Sequence, residues 1–225
     1  MSEKRKTNKI FINFKTLFYC LLALITMELS ASIILNNTQL HHLLVTGISR
    51  LFQILVLIII VVFFNNGLKS IGLNYYQIIE GIKKGLIWSF CFGILTFCSF
   101  LILLIWYKNP LSLIHTNLPK DNFILLLSFI VGGVIGPVCE EIFFRGILYG
   151  FFRKWSVFFA ILLSTLIFVL LHPIRTSIPI PQIIGGVIFA ISYEKTGMLM
   201  TPITIHILGN TAIFLLSLFQ SMRIF

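Results

Sequence analysis

Charge is what this sequence has least of. Only 11% of its 225 residues are Asp, Glu, Lys or Arg, and only seven of them are acidic. A soluble domain carries about a quarter charged residues, so an ordinary water-facing surface is excluded. Cysteine is scarce as well. Cys20, Cys91, Cys98 and Cys139 each sit in an apolar run, without C-x-x-C spacing, so they read as packing residues rather than disulfides or metal ligands. There is no G-x-S-x-G and no H-E-x-x-H, which removes the serine-hydrolase elbow and the zincin helix. Ser164 and Thr165 lie near His172, but no motif marks either as a nucleophile. Repeats, linkers and low-complexity tracts are also lacking, so one membrane domain suffices.

What is present is apolar. Hydrophobic residues make up 58% of the chain, 23 of them Phe, with a mean hydropathy of +1.01. This composition implies an all-α, polytopic transmembrane helical bundle. The net charge of +10 would suggest nucleic acid in a soluble protein. Here it fits basic loops on one side of a bilayer and acidic headgroups as their partner.

Apolar periods and breakers place the spans. Met1–Lys15 is polar and basic, and the first span follows from Thr16 to about Leu35. Ser30-Ala31-Ser32 faintly resembles a signal-peptidase site, but Glu28 within the apolar run favours an uncleaved span. A second span covers about Leu43–Phe64, with Arg50 near its start. Asn65–Lys84 reads as a turn and a short amphipathic piece at the interface, carrying Tyr75-Tyr76. The third span, about Gly85–Trp106, ends on interfacial Trp106-Tyr107. Lys108–Asp121, with Pro110 and Pro119, is a loop. A long fourth segment, about Asn122–Phe152, is expected to tilt, kink near Pro137 or divide. Three more spans are expected at about Ser156–His172, Gln182–Tyr193 and Met198–Phe219, with a loop carrying Arg175 between the first two. The total is seven membrane helices, or eight if the fourth segment divides. Residues 1–122 then hold the basic segment and three helices, and 123–225 form the core that carries the polar motifs.

With the N-terminus cytoplasmic, Lys108, Lys120, Arg175 and Arg223 fall outside and Arg50 lies within a span. The remaining twelve of the 17 Lys and Arg lie inside, a clear inward bias. A multi-pass protein of a bacterial plasma membrane is the expectation.

Three polar clusters interrupt the apolar sequence: Glu140-Glu141 with Arg145, His172 four residues after Phe168, and His206 with Asn210. A carboxylate or guanidinium at mid-membrane costs at least about 2.5–3.5 kcal/mol, so such residues need partners and mark function. Glu141 and Arg145 are i and i+4 and can pair on a helix. Glu140 points about 100° away and is the freer base. His206 and Asn210 share one helix face. A purely structural ion pair explains Glu141 and Arg145 as well as function does. It explains Glu140 poorly.

Together these groups match a hydrolytic site: an activated water, a proton shuttle and donors for an oxyanion. Glu140 and His172 could activate water directly. Alternatively Glu140, His172 and His206 could hold one zinc ion. His206 and Asn210 could donate to the oxyanion.

At these residues the chain resembles the CAAX prenyl protease and bacteriocin-processing (Abi) family of intramembrane proteases. The family pattern is E-E-x-x-x-R, then F-x-x-x-H, then H-x-x-x-N, matched by Glu140-Glu141-x-x-x-Arg145, Phe168-x-x-x-His172 and His206-x-x-x-Asn210. The resemblance spans about residues 123–215. It implies a membrane cavity open to the cytoplasm, with Glu140 and His172 acting on water and His206 and Asn210 stabilising the oxyanion. Glu141, Arg145 and Phe168 would support them. It also implies a membrane-embedded or lipidated protein or peptide as substrate. Two other classes compete. One is a non-catalytic immunity or scaffold protein of the same fold. The other is an ion-coupled transporter using Glu140 and Glu141, which the lack of an inverted repeat disfavours.

Overall fold

The structure is a computed structural model and describes residues 11–106, 118–172 and 179–222. Among these residues there is no strand, and seven helices follow one another: α1 (Phe14–Asn37), α2 (His42–Phe64), α3 (Ile78–Ile105), α4 (Asn122–Phe152), α5 (Val157–Leu170), α6 (Ile180–Thr196) and α7 (Met200–Met222). The chain is a multi-pass, all-helical membrane protein. Its outer faces are apolar: Phe63 is 77% exposed and Phe90 69%, which only lipid can cover at low cost.

Five helices, α1 to α4 and α7, are long and apolar enough to cross a membrane. With 14 and 17 residues, α5 and α6 reach only about 21 and 26 Å, short of a hydrocarbon core of about 30 Å. So α5, which ends at Leu170 two residues before His172, is too short to cross such a core by itself.

Eight crossings are not reached among the described residues, because the Glu-Glu segment does not divide. α4 continues for 31 residues. It is π-helical over Phe129–Ile135 and Ile142–Tyr149, with an α-helical stretch, Gly136–Glu141, between them. Pro137 shapes the first of these turns. The Gly136 N–H bonds the Val131 carbonyl five residues back, and the next donor in that register would be residue 137. Proline has no N–H, so the Gly132 carbonyl is left to a side chain. Turns of this kind re-aim side chains and concentrate at functional sites.

α4 is also the centre of packing. Every residue from Glu141 to Phe151 is buried, against α1, α2, α5, α6 and α7. α3 lies against α7 through Gly85, where a Cβ would come within 2.5 Å of Thr204 Cβ. Nearby, Thr201 Oγ1 donates to the Gly81 carbonyl at 3.1 Å. In the α1–α2 hairpin, Arg50 and Glu28, read separately from sequence, form an ion pair of 2.6 Å.

One end of the bundle gathers chain crossings and basic residues. There the Ile12 N–H donates to Gly150, the Leu199 N–H to Gly72, and Asn13 Nδ2 to the Phe64 carbonyl. Arg153 grips Glu194 with two hydrogen bonds of 2.8 Å, and Tyr149 adds a third of 2.6 Å. Lys15, Lys69, Lys83, Lys154 and Lys195 are exposed at this end.

The stretch 65–84 differs from expectation. It holds two short 3₁₀ turns, Leu68–Ile71 and Tyr75–Gln77, and α3 already begins at Ile78, taking in Lys83 and Lys84. Glu80 pairs with Lys84 on its first turns, so the charged residues continue the helix rather than form a separate interfacial piece. Tyr75 and Tyr76 are more than four-fifths exposed, as is usual at an interface. Lys4 to Lys9, Tyr107 to Asn117 with Lys108 and Pro110, Arg175 and Arg223 lie outside the described residues.

Candidate active site

The site is built on α4 and closed by α5, α6 and α7. Adjacent positions on α4 diverge by about 100°, and the two carboxylates accordingly meet different surroundings. Glu141 is fully buried, while the Glu140 side chain is about a quarter exposed (24%).

Glu141 has two partners. Its Oε2 lies 3.2 Å from Arg145 Nε, one turn on, and its Oε1 lies 2.8 Å from His206 Nδ1. The first contact is coulombic, since its angle does not make a hydrogen bond. Arg145 is fully buried too. Nη2 donates to the Gly186 carbonyl at 3.1 Å, and the Phe168 and Phe189 rings face the guanidinium at 4.8 and 5.2 Å. A cation thus meets one carboxylate, one carbonyl and, with Phe144 at 5.8 Å, three rings. The carbonyl comes within reach because Gly186 has no side chain. A Cβ there would sit 2.8 Å from Thr165 Cγ2 on α5.

Glu140 Oε2 is 3.8 Å from His172 Nε2 and 3.8 Å from His206 Nε2. The other ring nitrogens decide what these atoms are. His172 Nδ1 is 2.7 Å from the Phe168 carbonyl, which only accepts, so Nδ1 carries the proton and neutral His172 presents a lone pair at Nε2. His206 Nδ1 faces the Glu141 carboxylate in the same sense. Both rings are held from the side: Phe168 packs 4.3 Å from His172, and Phe189 stacks on His206 at 4.6 Å and 22°. Three acceptor atoms therefore converge on one small space. It needs a water, an added proton or a cation.

Asn210 lies one turn beyond His206, and its Nδ2 donates to the Gly132 carbonyl at 2.9 Å. That is the carbonyl left without a donor by Pro137. One amide proton is committed to it and the second remains.

The donor set Glu140, His172 and His206 suits zinc chemically. Tetrahedral zinc ligands at about 2.0–2.2 Å stand about 3.4 Å apart. The 3.8 Å separations are wider, and among the described residues no group of three or more His, Cys, Asp or Glu has a metal-holding arrangement. As placed, the three do not form a closed zinc set.

Sequence reasoning missed three contributors. Phe189 and Gly186 sit one turn apart on α6 and face α4. The His206–Glu141 contact joins residues 65 apart. Helical spacing shows which residues share a face, not which faces meet.

Residues 122–212 match the family model described as Type II CAAX prenyl endopeptidase Rce1-like. The chain is also similar to "Putative membrane peptidase YdiL" of Bacillus subtilis (strain 168). The two are 34% identical over 93 residues, which is 41% of this chain and 38% of that relative. The chain thus spans under two fifths of that protein's length. All eight polar and aromatic residues that form the site, Glu140, Glu141, Arg145, Phe168, His172, Phe189, His206 and Asn210, fall inside the matched stretch. No solved structure matches.

Proposed function

We propose, from the Rce1-like match in a multi-pass membrane protein, that the chain is an intramembrane endopeptidase. It hydrolyses a peptide bond of a membrane-associated or lipid-modified protein or peptide. The observation that carries this reading is the convergence of Glu140 Oε2, His172 Nε2 and His206 Nε2 at 3.8 Å separations.

One water can bridge Glu140 Oε2 and His172 Nε2 with hydrogen bonds of about 2.8 Å. Glu140 takes a proton from it as its oxygen attacks the scissile carbonyl carbon. His172, fixed by Phe168, accepts the water's other proton in a hydrogen bond and aims its lone pair. The developing oxyanion receives the Nε2–H of protonated His206 and the uncommitted Nδ2–H of Asn210. Glu140 then returns its proton to the leaving amine, so the site ends as it began. Glu141 holds His206 in orientation through Nδ1, and Arg145 faces Glu141 from the other side.

The basic end of the bundle is the cytoplasmic end in this reading, which makes the N-terminus cytoplasmic in a multi-pass protein of a bacterial plasma membrane. Glu140 lies 12 positions before the end of α4, or about 18 Å of helix. A substrate tail entering from that side would reach it within the hydrocarbon, next to its own lipid group.

The test is cleavage of an internally quenched farnesylated CAAX peptide, and of its unprenylated twin, by protein in nanodiscs. Glu140→Gln and His172→Ala should each remove cleavage. Cleavage persisting in both variants would overturn the mechanism. If the parent cleaves no peptide yet protects cells from a membrane-active peptide, a non-catalytic immunity role replaces it. Metal analysis with chelation accompanies the assay: the mechanism expects full activity after chelation.

A further inference from the structure

The six residues Gly136–Glu141 carry the site's carboxylates between two π turns. Side chains tie this part of α4 to its neighbours. Asn210 does so at Gly132, and His206 does so at Glu141. A further attachment comes from α2, outside the family-matched residues.

Gln53 is fully buried in the middle of α2. Its Oε1 accepts from Arg50 Nη1 at 2.6 Å and from Cys139 Sγ–H at 3.4 Å. Its Nε2 donates to Glu28 Oε1 at 3.0 Å and Ser49 Oγ at 3.5 Å. Arginine only donates, so the amide cannot be flipped, and Cys139 must be the donor of a thiol proton. Cys139 immediately precedes Glu140 and is itself buried. The Arg50–Glu28 ion pair therefore orients Gln53, and Gln53 fixes the rotation of the stretch that aims Glu140.

We infer that Gln53 is a positioning residue for the reaction: through Cys139 it sets the direction of Glu140 toward His172 and His206. The inference rests on the peptidase reading for its rate effect, but not for its geometry. The hydrogen bond is weak and the stretch is short. A displacement of about 1 Å at a reacting group can nonetheless cost on the order of a hundredfold in rate. The α1–α2 hairpin thus becomes part of the active site without touching substrate.

The experiment uses the full chain in nanodiscs, with Cys20, Cys91 and Cys98 replaced by Ala so that Cys139 is the remaining thiol. Gln53→Leu keeps similar volume and leaves the Arg50–Glu28 pair in place. Cys139→Ala removes the contact from the other side, and Cys139→Ser restores a donor. The infrared S–H stretch of Cys139 should move to the position of a free thiol in Gln53→Leu. Carbodiimide labelling of Glu140, read by mass spectrometry, should rise severalfold in Gln53→Leu and in Cys139→Ala, and return in Cys139→Ser. With the farnesylated peptide, kcat should fall about ten- to a hundredfold in Gln53→Leu with KM little changed. The Gln53→Leu/Cys139→Ala double variant should lose no more than either single.

An unshifted S–H band overturns the contact. A shifted band with unchanged Glu140 labelling and unchanged kcat overturns the positioning role. Independent, multiplying losses in the double variant overturn the link through Cys139. A parent that cleaves nothing refutes the peptidase reading, while the band and the labelling still decide the role of Gln53.

Discussion

Replacing Arg145 by Met removes the charge that Glu141 faces and keeps most of the side-chain volume. Both residues are fully buried, 3.2 Å apart, so no solvent is at hand to take over. Breaking a buried ion pair from one side costs about 3–5 kcal/mol, because the partner charge is left uncompensated. His206, 2.8 Å from the other Glu141 oxygen, remains as a second partner and moves the expected loss to the low end, about 3 kcal/mol. Glu141→Gln with Arg145→Met removes both partners of the pair and should be more stable than the sum of the two single losses implies. The coupling should reach at least about 1 kcal/mol. Arg145→Lys should not rescue, since an ammonium cannot face Glu141, the Gly186 carbonyl and three rings at once. Reversible unfolding in lipid discs or mild detergent gives these differences. A single variant within about 0.5 kcal/mol of the parent, or strict additivity, would refute the buried-pair account.

Three further outcomes follow from particular contacts. Asn210→Ala should destabilise by about 1–2 kcal/mol through the unpaired Gly132 carbonyl, and less in a Pro137→Ala background that returns an N–H to the ladder; equal losses in both backgrounds by unfolding would contradict the π-turn explanation. Gly186→Ala should cost about 1–3 kcal/mol, because its Cβ meets Thr165 Cγ2 at 2.8 Å. Thr165→Ser, which deletes that methyl, should recover part of the loss in the same unfolding measurement. Glu28→Ala should weaken membrane insertion by less than about 2.5–3.5 kcal/mol, the cost of an isolated mid-membrane Arg, because Gln53 Oε1 still accepts from Arg50, and Arg50→Leu in the same chain should restore it in an insertion assay.

Much of this was legible in the residues themselves. Helical spacing separated Glu140 from Glu141, tied Glu141 to Arg145 and put His206 with Asn210, because each relation lies within one helix. Hydropathy and length found the helices, with ends up to two turns away. What remained hidden lies between helices. Nothing local to Glu28 or Arg50 says that they meet across the α1–α2 hairpin, nor that Gln53 reaches Cys139. Pro137 signalled a kink, yet the chain answered it with a wider helix and a side chain from α7. The start of α3 moved two turns earlier because Glu80 and Lys84 pair on a helix as readily as they would lie at an interface.

The central claim is that Glu140 directs a water onto a peptide bond inside the membrane. Cleavage of the farnesylated peptide in ¹⁸O-water tests it most directly, using chelated protein and reading the new C-terminal carboxylate by mass spectrometry. The account predicts one ¹⁸O atom per product from the parent and no product from Glu140→Gln. Product from Glu140→Gln at the parent's rate, or cleavage that stops on chelation and returns with zinc, would contradict it.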